Sequence, residues 1–147
     1  MKGIIFALLI CISLCYDPDA AVAYAREYCQ QYNPNYASYA DSGGDCANFV
    51  SQCLIAGGQS LVGCANIRKY NIIAGVTSLK NCLESRGWKT STTRPPSFRP
   101  GYPMARTDLK HIVMATSVEG DTITYCGHTK DVCDRTLDYK VYYFYLD

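Results

Sequence analysis

Histidine is scarce in this chain and neither sign of charge dominates. Its 147 residues hold two histidines and one tryptophan, with 14 Lys+Arg against 13 Asp+Glu and a formal net charge of +1. A balance this close gives no general attraction to nucleic acid or to an anionic membrane. Cys-x-x-Cys and His-x₃-His pairs are missing, as is a glycine-rich phosphate loop, so neither zinc nor a nucleotide is expected. No cofactor is expected either. Long apolar runs are lacking too. The run Ile4 to Leu14 falls short of the ~20 residues a spanning helix needs. Lys2 precedes it and Ser13-Leu14-Cys15 follows, which reads as a secretory signal over residues 1–15, cut ahead of Tyr16. Residues 16–147 then make one domain, long enough to bury a core without metal. A monomer without a membrane span is expected, secreted or in the lumen of a phagosome-like compartment.

Cysteine, by contrast, is abundant, with nine in the chain. Cys11 and Cys15 fall in the signal, leaving Cys29, Cys46, Cys53, Cys64, Cys82, Cys126 and Cys133. That number is odd, so in an oxidising compartment three disulfides would leave one thiol free. Cys46 suits that role. It cannot pair with Cys53, because seven residues along one helix separate the Cα atoms by ~10 Å.

Local signals divide the chain in two. Asp17-Pro18 opens a helix running to about Gln31, and Asn33-Pro34 breaks it. A second helix spans Cys46 to Ala56 and stops at Gly57-Gly58. A third fits Ser78 to Arg86, capped by Thr77 and ended by Gly87. Residues 59–76 read as irregular, and Arg94 to Pro103 as a proline-punctuated loop. Beyond it, Leu109 to Val118, Thr122 to Gly127 and Leu137 to Leu146 alternate as strands, the last carrying Tyr139, Tyr142, Tyr143 and Tyr145. Helices followed by an antiparallel meander make the fold class α+β.

Gly43-Gly44-Asp45-Cys46 puts a cysteine at a helix start, where the partial positive charge of the helix favours a thiolate. Asp45 reads as the helix cap. On a helical wheel Cys46, Phe49, Val50, Cys53 and Leu54 share one face, with Asn48, Ser51 and Gln52 off it. Both histidines lie on the downstream hairpin. With Glu119-Gly120 as its loop, His111 opposes His128 directly, ~5 Å apart between Cβ atoms; with Gly120-Asp121 they are diagonal neighbours, ~7–8 Å apart. Either way they share a face, and an odd loop or a bulge would separate them. A base and a residue that orients it are therefore expected from the pair.

The run from Gly43 to Leu54, Gly-Gly-Asp-Cys-Ala-Asn-Phe-Val-Ser-Gln-Cys-Leu, followed by Ala56-Gly57-Gly58, resembles the putative amidase domain family of secreted bacterial proteins. Ala21 to Ala25, Asn33-Pro34-Asn35-Tyr36, His111-Ile112-Val113 and Gly127 to Asp131 fit as well. The family is related to NlpC-type cell-wall peptidases, and the resemblance implies a compact papain-like fold. It makes Cys46 the nucleophile, His111 the general base and His128 the residue that orients it. The Cys46 N–H would supply one oxyanion donor, and the hydroxyl of Tyr36 or Tyr39 a second. The implied substrate is the peptide part of bacterial cell wall, and the role lytic or antibacterial. Two departures stand out: Gly101-Tyr102-Pro103 replaces a Gly-Asp-hydrophobic step, and the cysteines are unusually many. Two other readings stay open. One is a non-catalytic, disulfide-stapled binding module with Cys46 bridged; the other is acyl transfer or deamidation on the same fold.

Overall fold

A computed structural model describes residues 15–147. The signal expected at 1–15 lies, Cys15 apart, outside the described residues. Three α-helices precede a six-stranded antiparallel sheet: α1 Pro18–Tyr28, α2 Cys46–Ala56, α3 Val76–Ser85, β1 Lys89–Ser91, β2 Pro103–Arg106, β3 Ile112–Glu119, β4 Thr122–Gly127, β5 Val132–Thr136 and β6 Val141–Tyr145. The strand order is β1-β6-β2-β3-β4-β5. The expected α+β class is met. Among the described residues no helix is long and apolar enough to cross a membrane.

Asp17 caps α1 through a 3.2 Å bond from Ala20 N to its carboxylate, with Pro18 at the first helical position. The helix ends at Tyr28 rather than near Gln31, because Cys29 is drawn into a disulfide with Cys133 of β5. α3 begins two residues earlier than expected, at Val76 instead of Ser78. Gly75, in extended backbone, takes the capping position. β2 begins at the last residue of the expected proline loop and runs on to Arg106, where no strand was expected; Pro103 is tolerated as the first residue of a strand. β5, which carries Cys133, has no periodic signal and went unread.

α2 is the buried centre. Phe49, Val50, Cys53 and Leu54 are fully buried, and each large apolar side chain adds about 1.5–3 kcal/mol. Asn48, Ser51 and Gln52 are buried as well, so the helix has no solvent face. Each is paired. Asn48 Nδ2 donates to Ala37 O at 2.8 Å, and Ser51 Oγ donates to Ile73 O at 2.9 Å and accepts from Ile73 N at 3.1 Å. Gln52 donates to Asn48 Oδ1 at 3.1 Å and accepts from the Tyr24 hydroxyl at 2.6 Å. Satisfied in this way, buried polar groups cost little and fix one seating of the helix.

Gly101-Tyr102-Pro103 has a structural reason. Gly101 sits at φ +92 against the backbone of Pro18, where a Cβ would collide. The Tyr16 hydroxyl closes the joint with a 2.6 Å bond to Gly101 O.

The cysteine arithmetic is corrected by the sulfur positions. Among the described residues two disulfides form, Cys29–Cys133 and Cys64–Cys82, while Cys46, Cys53 and Cys126 remain thiols. Cys53 and Cys126 are held as core side chains, at 0% exposure. The Cys29–Cys133 bridge spans a sequence separation of 104 and ties α1 to β5. Converting both partners to alanine should cost about 2–5 kcal/mol, since the bridge restricts a long loop of the unfolded chain. Urea denaturation measures this, and a loss under ~1 kcal/mol would contradict it.

Candidate active site

The backbone reaches α2 through Gly43 and Gly44, both at positive φ, and Cys46 is the first helical residue at 9% exposure. Asp45 does not cap the helix, contrary to expectation. Its carboxylate turns inward and accepts from Tyr39 N at 2.7 Å, Asn48 Nδ2 at 2.7 Å and His128 Nδ1 at 2.6 Å. The first helical bond runs from Phe49 N to Asp45 O at 2.9 Å. The N–H groups of Cys46, Ala47 and Asn48 therefore have no acceptor within the helix, and its positive end stays open beside the thiol.

His128 holds the Asp45 carboxylate in place. It is 2% exposed and its partner Asp45 is 1% exposed. Its Nε2 lies 2.7 Å from Tyr28 O, which can only accept, so Nε2 carries a proton. Its Nδ1 lies 2.6 Å from the Asp45 carboxylate, so a proton held between the two completes the second contact. Phe49 stacks on one side with centroids 4.0 Å apart, and Tyr32 on the other at 4.3 Å. The ring thus joins the end of β4 to the end of α1 and the start of α2.

A bulge breaks the expected pairing of the histidines. The hairpin turns at Gly120-Asp121, with Glu119 opposite Thr122 and Ser117 opposite Thr124. The register then shifts, so that Ala115 opposes Tyr125 and Met114 opposes Cys126. One extra residue on β3 takes His111 and His128 out of direct opposition, although both line one cavity. Both His128 nitrogens are engaged by Asp45 and Tyr28, so His128 makes no direct hydrogen bond to His111.

His111 immediately precedes β3, and its carbonyl accepts from Arg106 N at 2.8 Å. Its ring lies over Gly127, Nε2 being 3.9 Å from where a Cβ would stand. A side chain there would crowd Val113, whose Cγ1 lies 2.9 Å from that point. Burial pushes the His111 pKa below its ordinary value; Arg106 and Lys130 push the same way and Asp108 opposes them. The ring therefore stays a neutral base down to mildly acidic pH. It is not hydrogen-bonded to Cys46.

His111 lines a cavity of about 340 Å³ whose wall also includes Arg106, Thr129, Lys130 and Tyr139. Asp45 N donates to Thr129 Oγ1 at 3.3 Å, so the residue before Cys46 touches the cavity rim. Tyr36 lies elsewhere, in a cleft with Tyr24, Gln52 and Tyr70. Tyr39 contributes its backbone N–H to Asp45, and its ring faces Arg68 at 6.0 Å. Neither hydroxyl is brought to Cys46. Arg106, Thr129 and Tyr139 were missed in the sequence, where nothing marks them as neighbours of His111.

The family described as the putative amidase domain matches residues 15–98, more than half of the chain. The chain belongs to the putative amidase domain family. The matched segment holds Asp45 and Cys46 and stops before both histidines. The protein named uncharacterized protein YhbB of Bacillus subtilis (strain 168) is 44% identical over 48 residues, covering 33% of this chain and 14% of that relative. The chain therefore spans a small part of that relative's length. No solved structure matches.

Among the described residues, Cys29, Cys126 and Cys133 bring their sulfurs within 4.8 Å of one another, close enough to share a metal ion. Two of these sulfurs are spent in the Cys29–Cys133 disulfide, and one thiol does not make a metal site.

Proposed function

We propose that this amidase-family protein is a secreted cysteine amidohydrolase of papain-like type, acting on amide bonds in the peptides of bacterial cell wall in a lytic or antibacterial role. The observation that carries the reading is the unbridged Cys46 thiol at the open N-terminus of α2, beside the rim of a cavity lined by a neutral His111. An unbridged Cys46 also favours an enzyme over the disulfide-stapled binding module.

The Cys46 sulfur attacks the amide carbonyl carbon while its proton passes to His111. The oxyanion forms against the free N–H groups at the start of α2. His111 returns the proton to the leaving nitrogen, the C–N bond breaks and a thioester remains. Water, deprotonated by His111, then breaks the C–S bond and restores the thiol. Cys46 and His111 tighten into hydrogen-bond contact when substrate binds, as catalytic pairs in empty sites commonly do.

Amine release from wall-derived peptides, followed against pH, tests this. With the His111 pKa lowered by burial, its basic form persists below its ordinary pKa of ~6.5. The acid limb of kcat/KM should therefore fall below that value. A limb at or above it, or no cleavage of any wall peptide, would remove His111 or the reaction from the account.

A further inference from the structure

The cavity beside His111 has a charge that the chain as a whole lacks. Arg106, Lys110, Lys130 and Arg135 line it, against one carboxylate, Asp138. Arg106 is held by Asp108, which accepts twice from its Nε at 2.9 and 3.1 Å. Both Nη groups of Arg106 are left without a protein acceptor among the described residues. Lys130 and Arg135 are exposed. The Tyr139 hydroxyl, on the same wall, is buried without a hydrogen-bond partner. An orphaned buried donor costs about 1–3 kcal/mol unless something meets it. Its neighbour Tyr125 lies edge-on, with centroids 6.0 Å apart.

A guanidinium with free Nη groups, three further cations and an unsatisfied hydroxyl form a donor set suited to a planar anion of one or two oxygens. We propose that this cavity is a subsite for a carboxylate of the substrate, so that the protein selects amides whose neighbouring residue carries a free carboxylate over neutral ones. The inference rests on Cys46 and His111 as the reacting pair. Arg106 ties the subsite to that pair through its backbone bond to His111 and through the field it exchanges with Cys46 and Tyr139. The carboxylate comes from an acidic side chain or from a peptide C-terminus, and both offer the same chemistry.

Binding to the Cys46→Ala variant separates this inference from the catalytic reading, because no turnover is needed. Three N-acetylated dipeptides are titrated calorimetrically: one with a Glu side chain and an amidated C-terminus, one with Gln and an amidated C-terminus, and one with Gln and a free C-terminal acid. At least one acid should bind about tenfold more tightly than the neutral peptide, and which one does identifies the source of the carboxylate. The preference should shrink severalfold in Lys130→Gln and Arg135→Gln, both at exposed positions, and return in Arg135→Lys. Tyr139→Phe should weaken the acid and leave the neutral peptide unchanged. Equal binding of acids and neutral peptide, no binding by either acid, or a preference indifferent to these substitutions would overturn the subsite. A preference found in a protein that cleaves no amide would keep the subsite and reject the hydrolase.

Discussion

Cys46→Ala is expected to abolish amide cleavage while leaving the fold intact. Removing a nucleophile that acts as a unit with its base costs about 10⁴–10⁶ in kcat. The fold should survive because the thiol makes no hydrogen bond among the described residues, and the polar network at the helix start runs through Asp45, Asn48 and His128 instead. A stability change within about 1 kcal/mol is expected. Cys46→Ser keeps the shape but supplies a weaker nucleophile, so it should be nearly as inactive. Iodoacetamide applied to the native protein should label Cys46 and spare Cys53 and Cys126, whose thiols burial pushes up toward the neutral, unreactive form. Mass spectrometry after digestion reads the labelling and an amine-release assay reads the activity. Cleavage retained in Cys46→Ala would place the nucleophile elsewhere.

How much of this was legible in the sequence depended on whether the signal was local. The start of α2 was readable because two glycines, a short acidic residue and an apolar period of 3.6 all belong to one segment. The role of Asp45 was not readable. A carboxylate before a helix caps it unless tertiary donors compete, and here Tyr39 N, Asn48 and His128 outcompete the helix N–H groups. Asn48, Ser51 and Gln52 look like a solvent face until their partners on Ala37, Ile73 and Tyr24 are known. The hairpin was found, but a single extra residue near Thr116 takes the two histidines out of direct opposition. Nothing at that position, among β-branched neighbours, announces a bulge. The cavity cations come from separate stretches of chain and meet only through the sheet register.

His128 should prove the most costly residue to lose for stability. In His128→Gln the Asp45 carboxylate stays buried without its Nδ1 partner, and the gap between Phe49 and Tyr32 loses a stacked ring. Breaking one side of a buried pair costs about 3–5 kcal/mol, because the remaining charge is uncompensated. For a domain of this size that is a large share of total stability. The midpoint of urea unfolding should fall with an unchanged slope, since the surface exposed on unfolding is the same. Asp45→Asn should cost less, because it leaves no carboxylate to strand, its amide NH₂ can donate to His128 Nδ1 and its Oδ1 can still accept from Tyr39 N and Asn48. The same variants separate a positioning role from a part in proton transfer. If His128 oriented His111, its loss would move the acid limb of the pH–rate profile and spare stability. Because both His128 nitrogens are bonded to Asp45 and Tyr28, the reverse is expected: stability falls, and in the fraction that remains folded the acid limb stays where His111 puts it. Activity should also fall, because His128 carries the carboxylate that anchors the start of α2, and with it the open N–H groups beside Cys46. A stable His128→Gln with a shifted limb would return His128 to the side of His111.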